Sequence, residues 1–514
     1  MLRRPHAPRS HAPEARNRTT PQSQLPDGPA ERLFRRACAS AAQGRALEAA
    51  KLFVAVLQQQ PACFEAHCRL GMALRELNKL EEAIQCLEAA LRLRPSHPGL
   101  HLLLGAVHKQ SGNLEAAGEC CRREIALDAA NADAHYNLGL VLQNLDRPAE
   151  AMAAYRQALA LRPDHTGALI NQSLLYQEQP DLDAAIACCQ QVLRLQPTHA
   201  EAHWQLGTAL LAKGEWERGW PEYEWRWKLE DFTTPAGEFS QPLWDGRELE
   251  GRRILLHSEQ GYGDVIQFIR YAPLVAGRGG EVLLGCPPAL TGLLARAPGV
   301  SKVAAGRAGL PSFDFHCPLL SLPAIFRTTQ ATLPAKVPYL TPPKEVFPIG
   351  PARAGCLKVG VAWAGDAKHK NDRNRSMPVG HFGPLADLPG VHWFSLQAGP
   401  RALDLAHVPW ASRVTDLGPR FADFDQTASA IVQLDLVISV DTAVAHLAGA
   451  LGVPVWVALA IAPDWRWLLD RPHSPWYPTM RLFRQRRWGD WENVFEEIRE
   501  ALGQRLAHDH GDNF

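Results

Sequence analysis

A short glycine-containing loop, EQGYGD at residues 259–264, joins a candidate strand to a candidate helix and ends on a carboxylate. Gly261 and Gly263 permit tight or positive-φ backbone. Asp264 lies where the helix is expected to begin, and two interpretations stay open. It caps the helix by accepting hydrogen bonds from the first helical N–H groups, or it faces a cleft and takes a proton from an acceptor hydroxyl. A capping carboxyl tends to have a depressed pKa, which makes it a weaker base.

A second strand–helix junction, VISVDTAVAH at residues 437–446, has residues suited to an anion. The strand is predicted to end at Val440 and the helix to begin at Asp441 or Thr442. Helix N-termini offer free N–H donors and a partial positive charge, which suits a diphosphate. His446 follows Thr442 by one helical turn and lies on the same face. The alternative is that an aspartate cap occupies those donors itself.

Two further segments carry candidate binding residues. The loop at residues 365–376 is rich in basic side chains, namely Lys368, Lys370, Arg373 and Arg375. Such groups can neutralise a phosphate leaving group without a metal, although runs of charge also occur in solvated loops. The segment DWRWLLDRPHSPWYPTMRLFRQ at residues 464–485 offers indoles that stack on a base or sugar or pack against the closing helix.

These loops belong to a region in which strand and helix patterns alternate. Residues 253–257, 281–286 and 301–305 are predicted strands, and the helices VIQFIRYAPLVA and PALTGLLARA separate them. After a proline-rich linker at about residues 338–353, strands are predicted in LKVGVAWAG, HWFSLQAG, LDLVISVD and PVWVALA. Helices are predicted in DQTASAIVQL, TAVAHLAGALG and the closing WENVFEEIREALGQRLA. This alternation predicts parallel sheets in two lobes, residues 231–345 and 346–514, with a cleft between the carboxyl ends of their strands.

A repeat of 34 residues fills the first half of the chain. Windows beginning at residues 64, 98, 132, 166 and 200 agree at several offsets. Position 8 is Gly71, Gly105, Gly139, Ser173 and Gly207, and position 24 is Leu87, Cys121, Tyr155, Cys189 and Tyr223. Small residues at positions 8 and 20 allow two helices to approach, the larger residue at 24 fills the gap, and proline at position 32 of three windows ends the second helix.

The repeats resemble tetratricopeptide repeats, which are stacked pairs of antiparallel helices. Residues 31–230 are the predicted repeat region, and a weaker unit precedes residue 62. Such stacks form a superhelix with a groove that holds a peptide or a partner helix, so we expect a protein partner. The alternative is that the repeats dimerise the chain or cover its second half. The last window contains Trp216, Trp220, Trp225 and Trp227, whose indoles are expected to pack against the following domain.

Composition excludes several classes of protein. The 514 residues include 54 basic and 54 acidic side chains, so a globally basic nucleic-acid binder is excluded. No apolar run approaches the roughly 18–20 residues that span a bilayer. The 11 cysteines form no CxxC pair and are interpreted as core residues of a reducing, cytoplasmic protein. Residues 1–30 are expected to be a disordered tail, and an Arg-rich transit peptide is the alternative.

The segments EQGYGDVIQFIRYAPL, SVDTAVAHLAGALGVPVWV and DWRWLLDRPHSPWYPTMRLFRQ together resemble a bacterial family that fuses tetratricopeptide repeats to a heptosyltransferase-like glycosyltransferase domain. The plan is also similar to that of eukaryotic protein O-linked N-acetylglucosaminyltransferases. The resemblance implies a multidomain chain, in which an all-α repeat superhelix precedes an α/β GT-B domain of two Rossmann-like lobes. It also implies an inverting transfer from a nucleotide-diphosphate sugar, without a metal or other cofactor.

The resemblance also implies roles for individual residues. Asp264 matches the base of the heptosyltransferases, and Lys370 or Lys368 matches by position the lysine that stabilises their leaving group. Asp441, Thr442 and His446 match a loop that contacts the donor phosphates, although Ala443 replaces its glycine. The expected donor-binding residues are Gly261, Gly263, Lys368, Arg373, Arg375, Gln397, Asp441, Thr442 and His446.

The leading hypothesis is therefore a glycosyltransferase whose acceptor hydroxyl belongs to a protein held by the repeats. A second hypothesis is a non-catalytic repeat scaffold with a degenerate nucleotide-sugar-binding domain. A third is a glycan-directed transferase in which the repeats serve assembly.

Overall fold

The computed structural model describes residues 28–229, 239–306, 309, 311–369 and 371–511. Residues 1–27 of the predicted tail, and Lys370, lie outside this part of the chain. Contacts divide the described residues into two compact units, one ending at Leu175 and the other beginning at Tyr176. The predicted domain boundaries remain predictions, and each unit is described by itself.

The first unit is built from helix pairs. The helices are α1 (Pro29–Ala42), α2 (Ala46–Gln59), α3 (Phe64–Glu76), α4 (Leu80–Leu93), α5 (Leu100–Gln110), α6 (Leu114–Leu127), α7 (Ala132–Asn144) and α8 (Pro148–Leu161), and α9 (Thr166–Glu178) crosses into the second unit. From α1 to α8, each helix packs against the next. The weaker unit predicted before residue 62 is present as α1 and α2.

The predicted pairing of small and large residues explains how closely these helices approach. A Cβ atom added at Gly71 would lie 2.8 Å from Cγ of Leu87, and one at Gly105 would lie 3.1 Å from Cβ of Cys120. Separations this short displace the neighbouring helix, because protein interiors are already close-packed. A small residue at position 8 is therefore favoured by the helix on the other side of the pair, and Ser173 takes this position in the fourth window. For Gly105 the nearest side chain is Cys120, one residue before the predicted partner Cys121.

The second unit begins with repeat helices and continues into two parallel sheets. Helices α10 (Leu182–Leu195), α11 (Ala200–Lys213) and α12 (Trp216–Tyr223) come first, followed by a 3₁₀ turn at Glu224–Lys228. The strands are β1 (Arg253–His257), β2 (Glu281–Cys286), β3 (Lys302–Ala305), β4 (Phe315–Pro318), β5 (Leu357–Ala362), β6 (Val391–Ser395), β7 (Val414–Asp416), β8 (Leu436–Val440), β9 (Val455–Leu459) and β10 (Met480–Arg484).

Helices connect these strands. They are α13 (Tyr262–Phe268), α14 (Ala272–Ala276), α15 (Thr291–Leu294), α16 (Leu322–Ile325), α17 (Asp372–Arg375), α18 (Gly383–Ala386), α19 (Phe424–Ile431), α20 (Ala443–Ala450) and α21 (Trp491–Gly511). The helix predicted from Val265 is broken by a 3₁₀ turn at Ile269–Tyr271, before the proline of α14. The helix predicted in PALTGLLARA is short, because only α15 is α-helical.

All of the strand pairs are parallel, as predicted. The first sheet has the order β3-β2-β1-β4, and the second has the order β10-β9-β8-β5-β6-β7. Numbered along its own part of the chain, the second sheet reads 3-2-1-4-5-6 from β7 to β10, the order typical of doubly wound sheets. In such a sheet, ligands bind where the order reverses, outside the carboxyl ends of the first and fourth strands. Those strands are β5 and β8.

The last repeat shares its hydrophobic core with the two sheets. Trp216 stacks on Trp476 with ring centroids 5.2 Å apart, and Trp220 meets Trp465 edge-on at 5.4 Å. The indole N–H of Trp220 donates to the Thr328 carbonyl over 2.7 Å. These two indoles confirm the expected packing against the following domain. Trp225 differs from that expectation, because it stacks on His203 of α11 at 3.8 Å.

Candidate functional site

A cavity of about 1050 Å³ lies at the carboxyl ends of the strands of both sheets. Its walls come from the loops and helix starts that follow β1, β2, β5, β6, β8 and β9, with residues near the start of α19. Parallel strands bring their carboxyl ends to one edge, which is why residues far apart in sequence share this wall. Of the predicted site residues, the cavity gathers Gly261, Gly263, Asp264, Lys368, Arg375, Gln397, Asp441, Thr442 and His446.

Asp264 is the third residue of α13, and its carboxylate is held from two sides. Oδ2 accepts from the Gly261 N–H at 2.9 Å, and Oδ1 accepts from Arg466 Nη2 at 2.6 Å. The carboxylate therefore caps the helix from inside the first turn, rather than from the cap position, and also lines the cavity. Burial is the main influence on its pKa, and the pKa of Asp264 is raised above the usual value although Arg466 opposes the shift.

Arg466, which follows β9 of the second sheet, binds Asp264, which follows β1 of the first sheet, and it was not among the predicted site residues. Besides Asp264, its guanidinium binds Asp464, with Nη1 2.7 Å from Oδ1. Although burial acts to raise it, Arg466 holds the pKa of Asp464 below the usual value. Both residues follow β9, as the Trp465–Trp467 turn begins. Their position after a strand, at the edge already carrying Asp264 and Asp441, was the signal that could have found them.

The junction after β8 leaves the start of α20 open. Thr442 is the cap residue, with extended backbone (φ −139°), and its side chain makes no hydrogen bond to the first turn of α20 within the described residues. Its Oγ1 instead lies 3.0 Å from Ser439 Oγ. Asp441 is one residue further from the helix. Asp441 therefore does not occupy the cap position, and the helix keeps the N–H donors that an anion can use.

His446 is buried at the contact between α13 and α20. Its Nδ1 lies 2.9 Å from Tyr477 Oη, and its Nε2 lies 3.8 Å from Asp441 Oδ1. A Cβ atom added at Gly263 would lie 2.8 Å from His446 Cδ2, so glycine there lets the two helices meet. Burial, with a smaller contribution from Arg466, holds the pKa of His446 well below its usual value, and the imidazole is neutral at pH 7.

The basic loop divides between the cavity and its surroundings. Lys368 and Arg375 line the cavity, and the Arg375 guanidinium is held above Gly365, where an added Cβ atom would lie 2.6 Å from Nη2. Arg373 lines a separate surface depression instead. Lys370 lies outside the described residues, so its role remains a prediction.

Gln397 lines the cavity, but its amide is bonded to backbone. Oε1 accepts from the Trp363 and Ala364 N–H groups at 3.0 and 2.9 Å, and Nε2 donates to the carbonyls of Ala364 and Ala398. The side chain therefore joins the loops after β5 and β6. These contacts favour a supporting position for Gln397 over direct contact with a nucleotide sugar.

The described ranges show neither a metal cluster nor a membrane-spanning helix. No set of three or more His, Cys, Asp or Glu side chains there is arranged to hold a metal ion. No helix in the same ranges has the length and apolar character to cross a membrane.

Comparisons with known proteins identify the repeats. Residues 71–112 match the family described as TPR repeat, and residues 132–165 and 170–223 match tetratricopeptide repeat families. Protein FlbA of Caulobacter vibrioides is 26% identical over 328 residues, covering 57% of this chain and 54% of FlbA. The chain thus matches about half the length of that relative.

Solved structures with similarity to parts of this chain include MamA and TTC0263. MamA from Desulfovibrio magneticus RS-1 is 21% identical with a TM-score of 0.31, covering 34% of this chain and 98% of MamA. TTC0263, a TPR protein of Thermus thermophilus, is 24% identical with a TM-score of 0.30, covering 35% of this chain and 99% of its own. The family matches and the helix pairs together establish that this chain carries tetratricopeptide repeats between residues 71 and 223.

Proposed function

We propose that this protein is a glycosyltransferase that moves a sugar from a nucleotide-diphosphate donor to an acceptor hydroxyl. The observation that carries the proposal is the pairing, within one cavity, of the open N-terminus of α20 with the carboxylate of Asp264. The open N-terminus of α20 suits a diphosphate, and the Asp264 carboxylate can act as the proton acceptor. They come from different lobes, as the binding sites for donor and acceptor do in GT-B enzymes.

In the proposed reaction, the donor diphosphate lies against the N–H groups at the start of α20, with Lys368 and Arg375 nearby. The acceptor oxygen forms a bond to the anomeric carbon while the bond from that carbon to the phosphate oxygen breaks. The acceptor proton passes to Asp264, and the electron pair leaves on the nucleoside diphosphate. Positive groups and helix N–H donors stabilise the charge that develops there, and Lys370 keeps its expected part in this step.

The environment of Asp264 supports its role as the base. Burial raises its pKa and makes the ionised form a stronger base than a solvated aspartate. The Arg466 contact at 2.6 Å keeps the carboxylate directed into the cavity. His446 is less suited to the role, because its pKa is lowered and it lies behind Gly263.

The repeats support a protein as the source of the acceptor hydroxyl. Stacked tetratricopeptide repeats present extended surfaces that bind peptides and partner helices. We propose that they recruit the protein that is glycosylated.

The test is a panel of nucleotide sugars assayed for thermal stabilisation and for donor hydrolysis or transfer. A donor at one hundred times its dissociation constant stabilises the fold by about 2.7 kcal/mol. We expect Asp264→Asn to lower turnover by about 10²-fold or more and to leave donor affinity within a few-fold. Asp366→Asn is the control, because Asp366 also lines the cavity but is exposed. Unchanged turnover in Asp264→Asn contradicts the assigned role.

One observation favours a second candidate function, a nucleotide-sugar-binding scaffold without turnover. Both carboxylate oxygens of Asp264 already accept hydrogen bonds, from Gly261 and from Arg466. Donor binding with no transfer to any acceptor in the same panel would favour this candidate over the enzyme.

A further inference from the structure

A fully buried ion pair joins the last repeat to the loop that leads to Asp264. Arg226, in the turn after α12, binds Glu259 in two places, with Nε 2.8 Å from Oε2 and Nη2 3.0 Å from Oε1. Both side chains are fully buried. Planar two-point contacts of this kind fix orientation as well as distance.

Glu259 begins the segment that leads to Asp264, and neighbouring contacts hold it in place. Its Oε1 also accepts from the Leu320 N–H at 3.1 Å, and the next residue, Gln260, donates to Tyr223 Oη at 3.3 Å. Arg226 Nη2 additionally donates to Ser321 Oγ at 2.9 Å. The loop after β1 is therefore positioned by side chains of the repeat region.

The same repeat contacts the residue that precedes Arg466, the other partner of Asp264. Trp465, next to Arg466 in the chain, packs against Trp220 at 5.4 Å and Tyr223 at 5.8 Å. Side chains between residues 220 and 226 thus contact both the segment that leads to Asp264 and the residue that precedes Arg466.

Stability alone does not account for a buried pair of this kind. The free energy lost when two charges are removed from water offsets much of the free energy gained from their attraction. Apolar side chains of similar volume therefore often stabilise a fold as well or better. An arginine–glutamate pair at this place instead selects one orientation of the loop.

Resting on the glycosyltransferase function above, we propose that Arg226 is a positioning residue of the reaction. Through Glu259 it fixes the Glu259–Asp264 segment so that the Asp264 carboxylate faces the cavity. The last repeat is then part of the machinery of transfer, in addition to any part in recruiting a partner.

The test uses the full chain with Arg226→Met and Glu259→Met combined, so that neither of the two fully buried charges is left alone. Glu224, which Arg226 Nη1 also binds at 2.6 Å, is 29% exposed and remains accessible to water in this variant. We expect a melting temperature within a few degrees of the unmodified protein and a kcat lowered by about 10²-fold, with KM little changed, as expected for misplacement of a reacting group. Amide hydrogen exchange in residues 258–264 should become at least about tenfold faster. Arg226→Lys keeps the charge but not the two-point contact. Its kcat and its exchange rate in residues 258–264 should lie between those of the unmodified protein and those of the double variant.

The matched control is Arg278→Met with Glu248→Met, which removes an exposed ion pair of the same lobe. Unchanged kcat and unchanged exchange in the Arg226/Glu259 double variant would overturn the proposal. If the double variant unfolds, Glu259→Gln takes its place with the same expected and opposing results. The exchange measurement needs no substrate, so it decides the positioning proposal even where no donor is turned over.

Discussion

Three aspartates lie near Arg466 in the cavity, and their pKa values shift in different directions, since those of Asp264 and Asp441 are raised and that of Asp464 is lowered. Asp264 and Asp464 are bonded to Arg466 at 2.6 and 2.7 Å, whereas Asp441 has His446 at 3.8 Å. Burial first, and then the Asp464 carboxylate, raise the pKa of Asp441. The ionised form of Asp441 is therefore disfavoured by its surroundings. A carboxylate of this kind beside a proposed phosphate site is typical of binding sites rather than of stable cores.

Asp441→Asn is therefore expected to stabilise the fold near neutral pH by about 1–3 °C in melting temperature. The folded state holds the Asp441 proton more tightly than the unfolded state, so its ionisation lowers stability as pH rises through the raised pKa. The advantage of Asn should be full above that pKa and should vanish below the usual value of 3.8. Melting curves across this range measure it, with exposed Asp416→Asn as the control. A lower melting temperature at pH 7 would contradict the expectation.

At the scale of the residue, the sequence predicted where the site residues lie better than it predicted which side chains they bind. Asp264, Asp441 and His446 were assigned to one cleft because strand–helix junctions in parallel sheets share an edge. The bond between Asp264 and Arg466 joins residues 202 positions apart in different lobes. Nothing local in DWRW or EQGYGD indicates that pairing, because it depends on how the two sheets are placed.

At the scale of the element, the two helices of a repeat approach closely where a small residue of one packs against a larger side chain of the other. An added Cβ atom at Gly139 would lie 2.4 Å from Cε1 of Tyr155, whereas Gly118, in α6, has its nearest neighbour at 3.5 Å. Both glycines are helical, so the difference between them is the space available.

Gly139→Ala is accordingly expected to destabilise the repeat unit by about 1–3 kcal/mol, because Tyr155 is fully buried and has no room to move. Gly118→Ala should be neutral or stabilising by up to about 1 kcal/mol, the helix propensity difference. Urea titrations followed by circular dichroism compare them. Equal effects at both positions would show that close approach is not the cause.

Elements with a strong period or a continuous apolar run were predicted, and several short strands were not. The 34-residue spacing located the helix pairs, and continuous apolar runs located β1, β2, β8 and β9. The sequence does not predict strands β4, β7 and β10, because FHCP and MRLFR mix buried and accessible positions, VTD has no buried position, and none exceeds five residues. Their strand form depends on pairing with β1, β6 and β9.

At the scale of the whole molecule, the repeat pattern and the compact units do not end at the same place. The repeats match through residue 223, yet the second unit begins at Tyr176. The last repeat contributes Trp216, Trp220 and Tyr223 to a core shared with the sheets. A periodic sequence shows where the repeats lie, but not which of them has been incorporated into its neighbour.

Two truncations test this arrangement. Removal of residues 1–165 is expected to leave a folded protein that binds a donor sugar and loses transfer to a protein acceptor. Removal of residues 1–229 should give an aggregating chain, because Trp465 and Trp476 lose their partners and expose apolar surface. Size-exclusion chromatography and near-ultraviolet circular dichroism distinguish the two. A well-folded protein lacking residues 1–229 would contradict the shared core. Retained transfer to a protein after the shorter removal would show that residues 1–165 do not recruit the acceptor, and transfer to a free glycan alone would favour a glycan-directed enzyme.

The stacked indoles of Trp216 and Trp476 have an optical consequence. Rings 5.2 Å apart exchange excitation energy, and buried indoles emit at shorter wavelengths than hydrated ones. Separation of the last repeat from the sheets would therefore hydrate these rings and shift their emission to longer wavelengths, without any attached dye. Tryptophan fluorescence of the unlabelled protein therefore reports on that contact, and it can be followed in real time while candidate donors and acceptors are added.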